Sequence, residues 1–163
     1  MLLSVPVKPC VRRFLLKEFG REPIAVRANS DLGGILLLAF AKGESVPLEA
    51  MELSHDELPD LDNLTPIQFQ LGETFRRSAL SPNSRVLLTG ALMAYFRTCL
   101  FFYTLGRRTL FDSEMSAVKL FLKVYNIRED ELTEEAAIKI AQRERRERAL
   151  FKPTPSVATT QAA

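Results

Sequence analysis

Residues 86–105, VLLTGALMAYFRTCLFFYTL, form the longest apolar run in the chain, and Arg97 is its only charge. A run of this length is either a membrane span or a helix buried in a core. Arg97 lies near its middle, where a charge costs about 3 kcal/mol on insertion scales. Thr89, Gly90, Thr98 and Thr104 dilute it further. Ser81-Pro82 supplies an N-cap oxygen followed by proline at the first helical position, and Gly106 supplies a stop. The run therefore reads as the central helix of a soluble protein, and no membrane partner is expected. At 100° per residue Leu88, Leu92, Tyr95, Cys99 and Phe102 share one side. Gly90, Met93, Arg97, Phe101, Thr104 and Arg108 share the opposite strip, so burial all round is expected. Arg97 is then expected to reach solvent or to pair with a carboxylate from Glu129–Glu135 or from residues 44–62.

The chain before the run reads β-α-β-α-β-β. Leu2–Val7 is β-prone, and Pro6 points to an edge or a strand end. Pro9 opens a helix over 9–19, with Val11, Phe14, Leu15 and Phe19 at helical spacing and Gly20 after it. Pro23–Ala28 reads as a second strand. Ser30 or Asp31 caps a helix over Leu32–Lys42, stopped by Gly43, with Leu32, Ile35, Leu36, Ala39 and Phe40 facing inward. Its Gly33-Gly34 permits close backbone contact and is no phosphate loop. Residues 44–64 are acidic and punctuated by proline, with a strand within Pro47–Leu53. Pro66–Gly72 alternates with a period of two, Ile67, Phe69 and Leu71 on one face and Gln68 and Gln70 on the other.

After the run, Asp112 or Ser113 caps a helix to about Tyr125, striped by Ala117, Val118, Phe121, Leu122 and Tyr125, and ended by Asn126. Thr133 caps a last helix whose Glu134 and Glu135 suit its positive N-terminal end. Ala137, Ile140 and Ala141 face inward. The fold class is α+β: a small N-terminal sheet with two helices, then a three-helix C-terminal unit built on the central apolar helix. The expected units are 1–80 and 81–151, with 152–163 as a disordered tail.

Little in the sequence suggests catalysis. His55 is the sole histidine, beside Asp56 and Glu57. There is no nucleophile elbow and no zinc spacing, and the cluster Asp56, Asp60 and Asp62 lacks the glycine and terminal glutamate of a calcium loop. Cys10 and Cys99 form no redox motif, Cys99 reads as a buried thiol, and the N-terminal residues do not read as a signal peptide. The expectation is a cytoplasmic, non-enzymatic protein without metal, cofactor or small-molecule substrate.

Charge is the remaining signal. Net charge is only +2, but its distribution is blocky. Residues 129–135 hold five acids and no base, and residues 139–152 hold six bases against two acids. Arg143, Arg145, Arg146, Arg148 and Lys152, extended by Arg107, Arg108, Arg12 and Arg13, are the candidate phosphate contacts, because guanidinium forks match phosphate oxygens. The competing reading is a helix stabilised by its own pairs, since Arg143/Glu147 and Glu144/Arg148 stand four residues apart. A helix-turn-helix over Met115–Lys139 fails on spacing, because seven residues without glycine separate the two helices.

Two stretches, VPVKPCVRRFLLKEFG and LFDSEMSAVKLFLKVYNIREDELTEEAAIKIAQRERR, are similar to the opening and closing segments of small accessory proteins of bacterial phages and transposable elements. In the closing segment a Phe-x-x-x-Tyr-x-Ile turn, here Phe121, Tyr125 and Ile127, precedes a basic helix. The resemblance implies an accessory role in a mobile element and assigns no residue a function. Two functional expectations follow: DNA binding through the last helix, or a protein–protein module that self-associates through its C-terminal helices.

Overall fold

The computed structural model describes residues 1–45, 63–72, 75, 82–107, 110 and 113–150. The fold is α+β, with three strands and five helices among them. The strands are β1 (Leu2–Val7), β2 (Ile24–Val26) and β3 (Thr65–Leu71); the helices are α1 (Pro9–Phe19), α2 (Asp31–Ser45), α3 (Pro82–Arg107), α4 (Glu114–Val124) and α5 (Glu134–Leu150). The expected strand within Pro47–Leu53 lies outside the described residues.

The sheet is mixed, in the order β1-β3-β2, with β3 antiparallel to β1 and parallel to β2. Side-chain parity decides its two faces. Leu3, Val5, Val7, Ile24, Val26, Ile67, Phe69 and Leu71 are buried, and the intervening positions, Gln68 and Gln70 among them, are exposed. Pro6 stands opposite Pro66 in the β1–β3 register. The Pro6 carbonyl instead accepts from Thr89 Oγ1 of α3 at 2.8 Å, and the Pro66 carbonyl from Arg12 Nε of α1 at 3.2 Å.

Local chemistry sets the helix ends. Ser30 Oγ accepts from the Gly33 N–H at 3.1 Å, Ser113 Oγ from Ser116 at 3.2 Å and Thr133 Oγ1 from Ala136 at 3.2 Å, so each is an N-cap. Asn126, at φ 54°, closes α4. Its N–H donates to Lys123 and that of Ile127 to Leu122, which is the Schellman arrangement. Gly33 is required by space: a Cβ there would meet the Arg27 carbonyl oxygen at 2.0 Å. Two expected stops fail. α2 runs past Gly43 to Ser45, and α3 passes Gly106 to Arg107, because a glycine ends a helix only where the chain turns left-handed.

One cluster of buried side chains runs from β1 to α5. Phe14 sits at its centre, its ring 5.4 Å from Phe96, 6.2 Å from Phe121 and 4.9 Å from Tyr125. α3 packs against α1, α2, α4, α5 and β1, which makes it the shared helix of the structure. It is not buried all round: only a third of its most apolar 18-residue window is buried, although its length and composition would allow a bilayer crossing. The inner line is Leu88, Leu92, Phe96 and Leu100, and Phe102 is 53% exposed rather than sharing the Leu88 side. Among the described residues Arg97 pairs with no acid of Glu129–Glu135, and residues 46–62 of the other expected segment lie outside the described residues. The Arg97 Nε lies 3.8 Å from Glu144 Oε1, because α5 lies along α3 and turns Glu144 towards it.

Candidate nucleic-acid interface

α5 begins acidic and ends basic, so its charges follow the helix dipole. Ala137 and Ala141 are fully buried and fix which side meets α3 and α4. At 100° per residue Glu144, Arg145 and Arg148 lie towards that side. Arg145 bonds Glu114 of α4. Arg148 holds Glu144 at 3.4 Å and Thr98 Oγ1 at 3.0 Å, and its guanidinium lies 5.2 Å from the Phe101 ring centre and 4.9 Å from that of Phe102. These two arginines dock α5 on its neighbours. Glu144, only 13% exposed at its side chain, is shared between Arg97 and Arg148.

Lys139, Arg143 and Arg146 occupy the opposite side at i, i+4 and i+7, and all three are exposed. Arg143 reaches Glu147 Oε1 at 2.8 Å along the helix surface. Arg146 and Lys139 make no ion pair among the described residues. The structure thus separates two kinds of base that the sequence ran together, and it adds Lys139. Helical spacing from Arg143 and Arg146 was the signal that could have found it.

The other expected contacts are engaged elsewhere. Arg12 pairs with Glu22 at 3.1 Å, Arg13 with Glu131 at 2.6 Å, and Arg107 lies over the Tyr103 ring at 5.4 Å. Arg13 and Glu131 join α1 to the turn before α5, at that helix's acidic end. Arg108 and Lys152 lie outside the described residues, as do His55 and the cluster Asp56, Asp60 and Asp62. Among the described residues no group of three His, Cys, Asp or Glu side chains could hold a metal ion.

The titratable groups with shifted pKa values stand apart from this surface. Burial raises Cys10 to about 11. Cys99 is half-buried rather than buried, and desolvation raises it against the lowering effect of its hydrogen bond with Tyr95. Tyr95 rises to about 12, again chiefly through desolvation. Tyr125 is raised by burial and by donating to Glu18 Oε2 at 2.9 Å. Both thiols are therefore protonated at neutral pH. The chain matches no known family, no curated protein and no solved structure.

Proposed function

We propose that the protein is a non-enzymatic, cytoplasmic accessory protein that binds DNA by its phosphates, through the outward side of α5. The observation that carries this reading is the exposed line Lys139, Arg143 and Arg146, one base per helical turn, bordered by the exposed acids Glu135 and Glu147. The line spans about 10 Å of helix. Its contacts would be electrostatic and indifferent to base sequence, so affinity falls as salt displaces the protein from the phosphates. Glu147 competes with phosphate for Arg143. An accessory role in a phage or transposable element is consistent with the resemblance of the two terminal stretches, and the charge blocks point the same way.

The test is binding to a fluorescent duplex between 50 and 200 mM salt. Three phosphate contacts predict a slope of log K against log salt of about −2.7. Lys139→Gln, Arg143→Gln and Arg146→Gln together should abolish most of that slope, while Glu147→Gln strengthens binding. Arg145→Gln should lower thermal stability more than it changes the slope. Absence of binding at 50 mM salt, or an unchanged slope in the triple variant, overturns the reading.

A further inference from the structure

α5 is held to the fold in two different ways along its length. Over its first half the contact is apolar: Ala137 and Ala141 are fully buried, and Ile138 and Ile140 pack against the core. From Gln142 to Ala149 no residue is buried. Arginine chemistry ties this second half to α3 and α4. Arg145 of α5 bonds Glu114 of α4, and Arg97 of α3 lies 3.8 Å from Glu144 of α5. Arg148 of α5 donates to Thr98 Oγ1 and rests on the Phe101 and Phe102 rings of α3.

These ties are weak for identifiable reasons. The side chains of Arg145 and Arg148 are 36% and 41% exposed, and ion pairs this open contribute little and are screened by salt. The Nε atoms of Arg97 and Arg145 are buried without a hydrogen-bond partner, and that desolvation offsets part of what the pairs contribute. The apolar contacts of Ala137 and Ala141 carry neither weakness. The second half of α5 therefore belongs to the low-stability end of the structure and can open while the first half stays in place.

We propose that residues 142–150 form an electrostatic latch, in which Glu114 and Glu144 occupy Arg145 and Arg148 and keep both from phosphate. The inference rests on the phosphate-binding reading of α5. A carboxylate offers a guanidinium the same kind of anionic oxygen as a phosphate does, so an internal acid on each arginine excludes an external one. Arg97–Glu144 and Arg145–Glu114 join two helices and break on opening. Glu144–Arg148 lies within α5 and becomes an ordinary exposed pair. With the latch closed, a duplex meets only the outward line Lys139, Arg143 and Arg146. With it open, the inward Arg145 and Arg148 are added, and the phosphate contacts rise from three to five.

The test has two arms, both on the full chain. The first, without nucleic acid, follows hydrogen exchange by mass spectrometry at 50 mM and 1 M salt. Amides of residues 142–148 should lose protection about fivefold at the higher salt, where screening acts beyond about 3 Å, while those of residues 134–141 keep theirs. Glu114→Gln with Glu144→Gln should give the same loss at 50 mM salt. The second arm measures binding to a fluorescent duplex between 50 and 200 mM salt. There the double variant should steepen the slope of log K against log salt from about −2.7 to about −4.5, and adding Arg145→Gln and Arg148→Gln should return it to about −2.7. Protection of residues 142–148 that neither salt nor the double variant lowers overturns the latch, whatever the duplex does. So does a slope that the double variant leaves unchanged, or that the added arginine changes do not restore. Protection lost as expected, with no duplex bound by wild type or double variant, overturns the phosphate reading and with it the role given to the latch.

Discussion

The sheet and α3 carry similar apolar content and yet differ in how they use it. In the sheet, parity leaves two choices for each side chain, and apolar and polar residues alternate to match, so Ile67 and Gln68 cannot exchange roles. In α3 the apolar residues cover most directions around the axis. Phe96 is fully buried and Phe102 is 53% exposed, six residues apart in one helix. What separates them is where the other helices lie, and that information sits elsewhere in the chain. The comparison teaches that a pattern of two states specifies a face, whereas an unpatterned helix receives its faces from its neighbours.

Replacing the two phenylalanines is the strongest way to break this comparison. Phe96→Ala removes a ring packed on Phe14 and Phe121 and should cost about 3–5 kcal/mol in denaturant unfolding. An effect below about 1 kcal/mol would mean that the inner line of α3 is wrongly assigned. On the sheet side, Gly33→Ala forces a Cβ into the Arg27 carbonyl. It should cost about 1–3 kcal/mol as overpacking, while Gly34→Ala, where a Cβ meets open space, should be neutral or mildly stabilising.

Alkaline titration tests α3 against its neighbour α1. Cys10 on α1 is raised from 9.0 to about 11 and Tyr95 on α3 from 10.0 to about 12. A raised folded pKa means that the folded state holds its proton where the unfolded state has lost it, so stability is complete below pH 9 and declines as pH rises through 11 and 12. Urea midpoints should fall over that window, and Cys10→Ala should remove the earlier part of the fall. Constant midpoints to pH 11 would show that Cys10 is less buried than described. The smallest effect is expected from Phe102→Ala. Stability should fall by about 0.5–1 kcal/mol, the worth of an exposed cation–π contact with Arg148, and a loss above about 2 kcal/mol would place Phe102 inside the fold.

Much of the architecture was legible because short-range chemistry fixes it. Proline at Pro9, the caps at Asp112 or Ser113 and at Thr133, and the alternation of Pro66–Gly72 each act within a few residues. The stripe of α4 and its end at Asn126 were legible for the same reason. The partner of Arg97 was not: Glu144 is 47 residues away, and its approach depends on how α5 lies along α3. The charge block at the end of the chain was visible, but its division was not. Helical phase from the inward Ala137 and Ala141 could separate Arg145 from Arg146, which faces solvent, but it does not name Glu114 of α4 as the partner of Arg145. Helical phase was readable for each residue; the partner on the facing helix was not.

The facing prolines of β1 and β3 have a consequence for sheet growth. Opposite each other, they occupy sites where neither strand needs an N–H from the other. A slip of one residue would ask Pro6 or Pro66 for a donor it lacks, so the prolines exclude the odd alignments that would also turn the buried face outward. Pro6 also marks the outer margin of the sheet. Its nitrogen has nothing to offer an incoming strand, and its carbonyl is held by Thr89. A stray chain seeking to add itself along β1 would find that end already shut, which protects the folded protein from edge-to-edge aggregation.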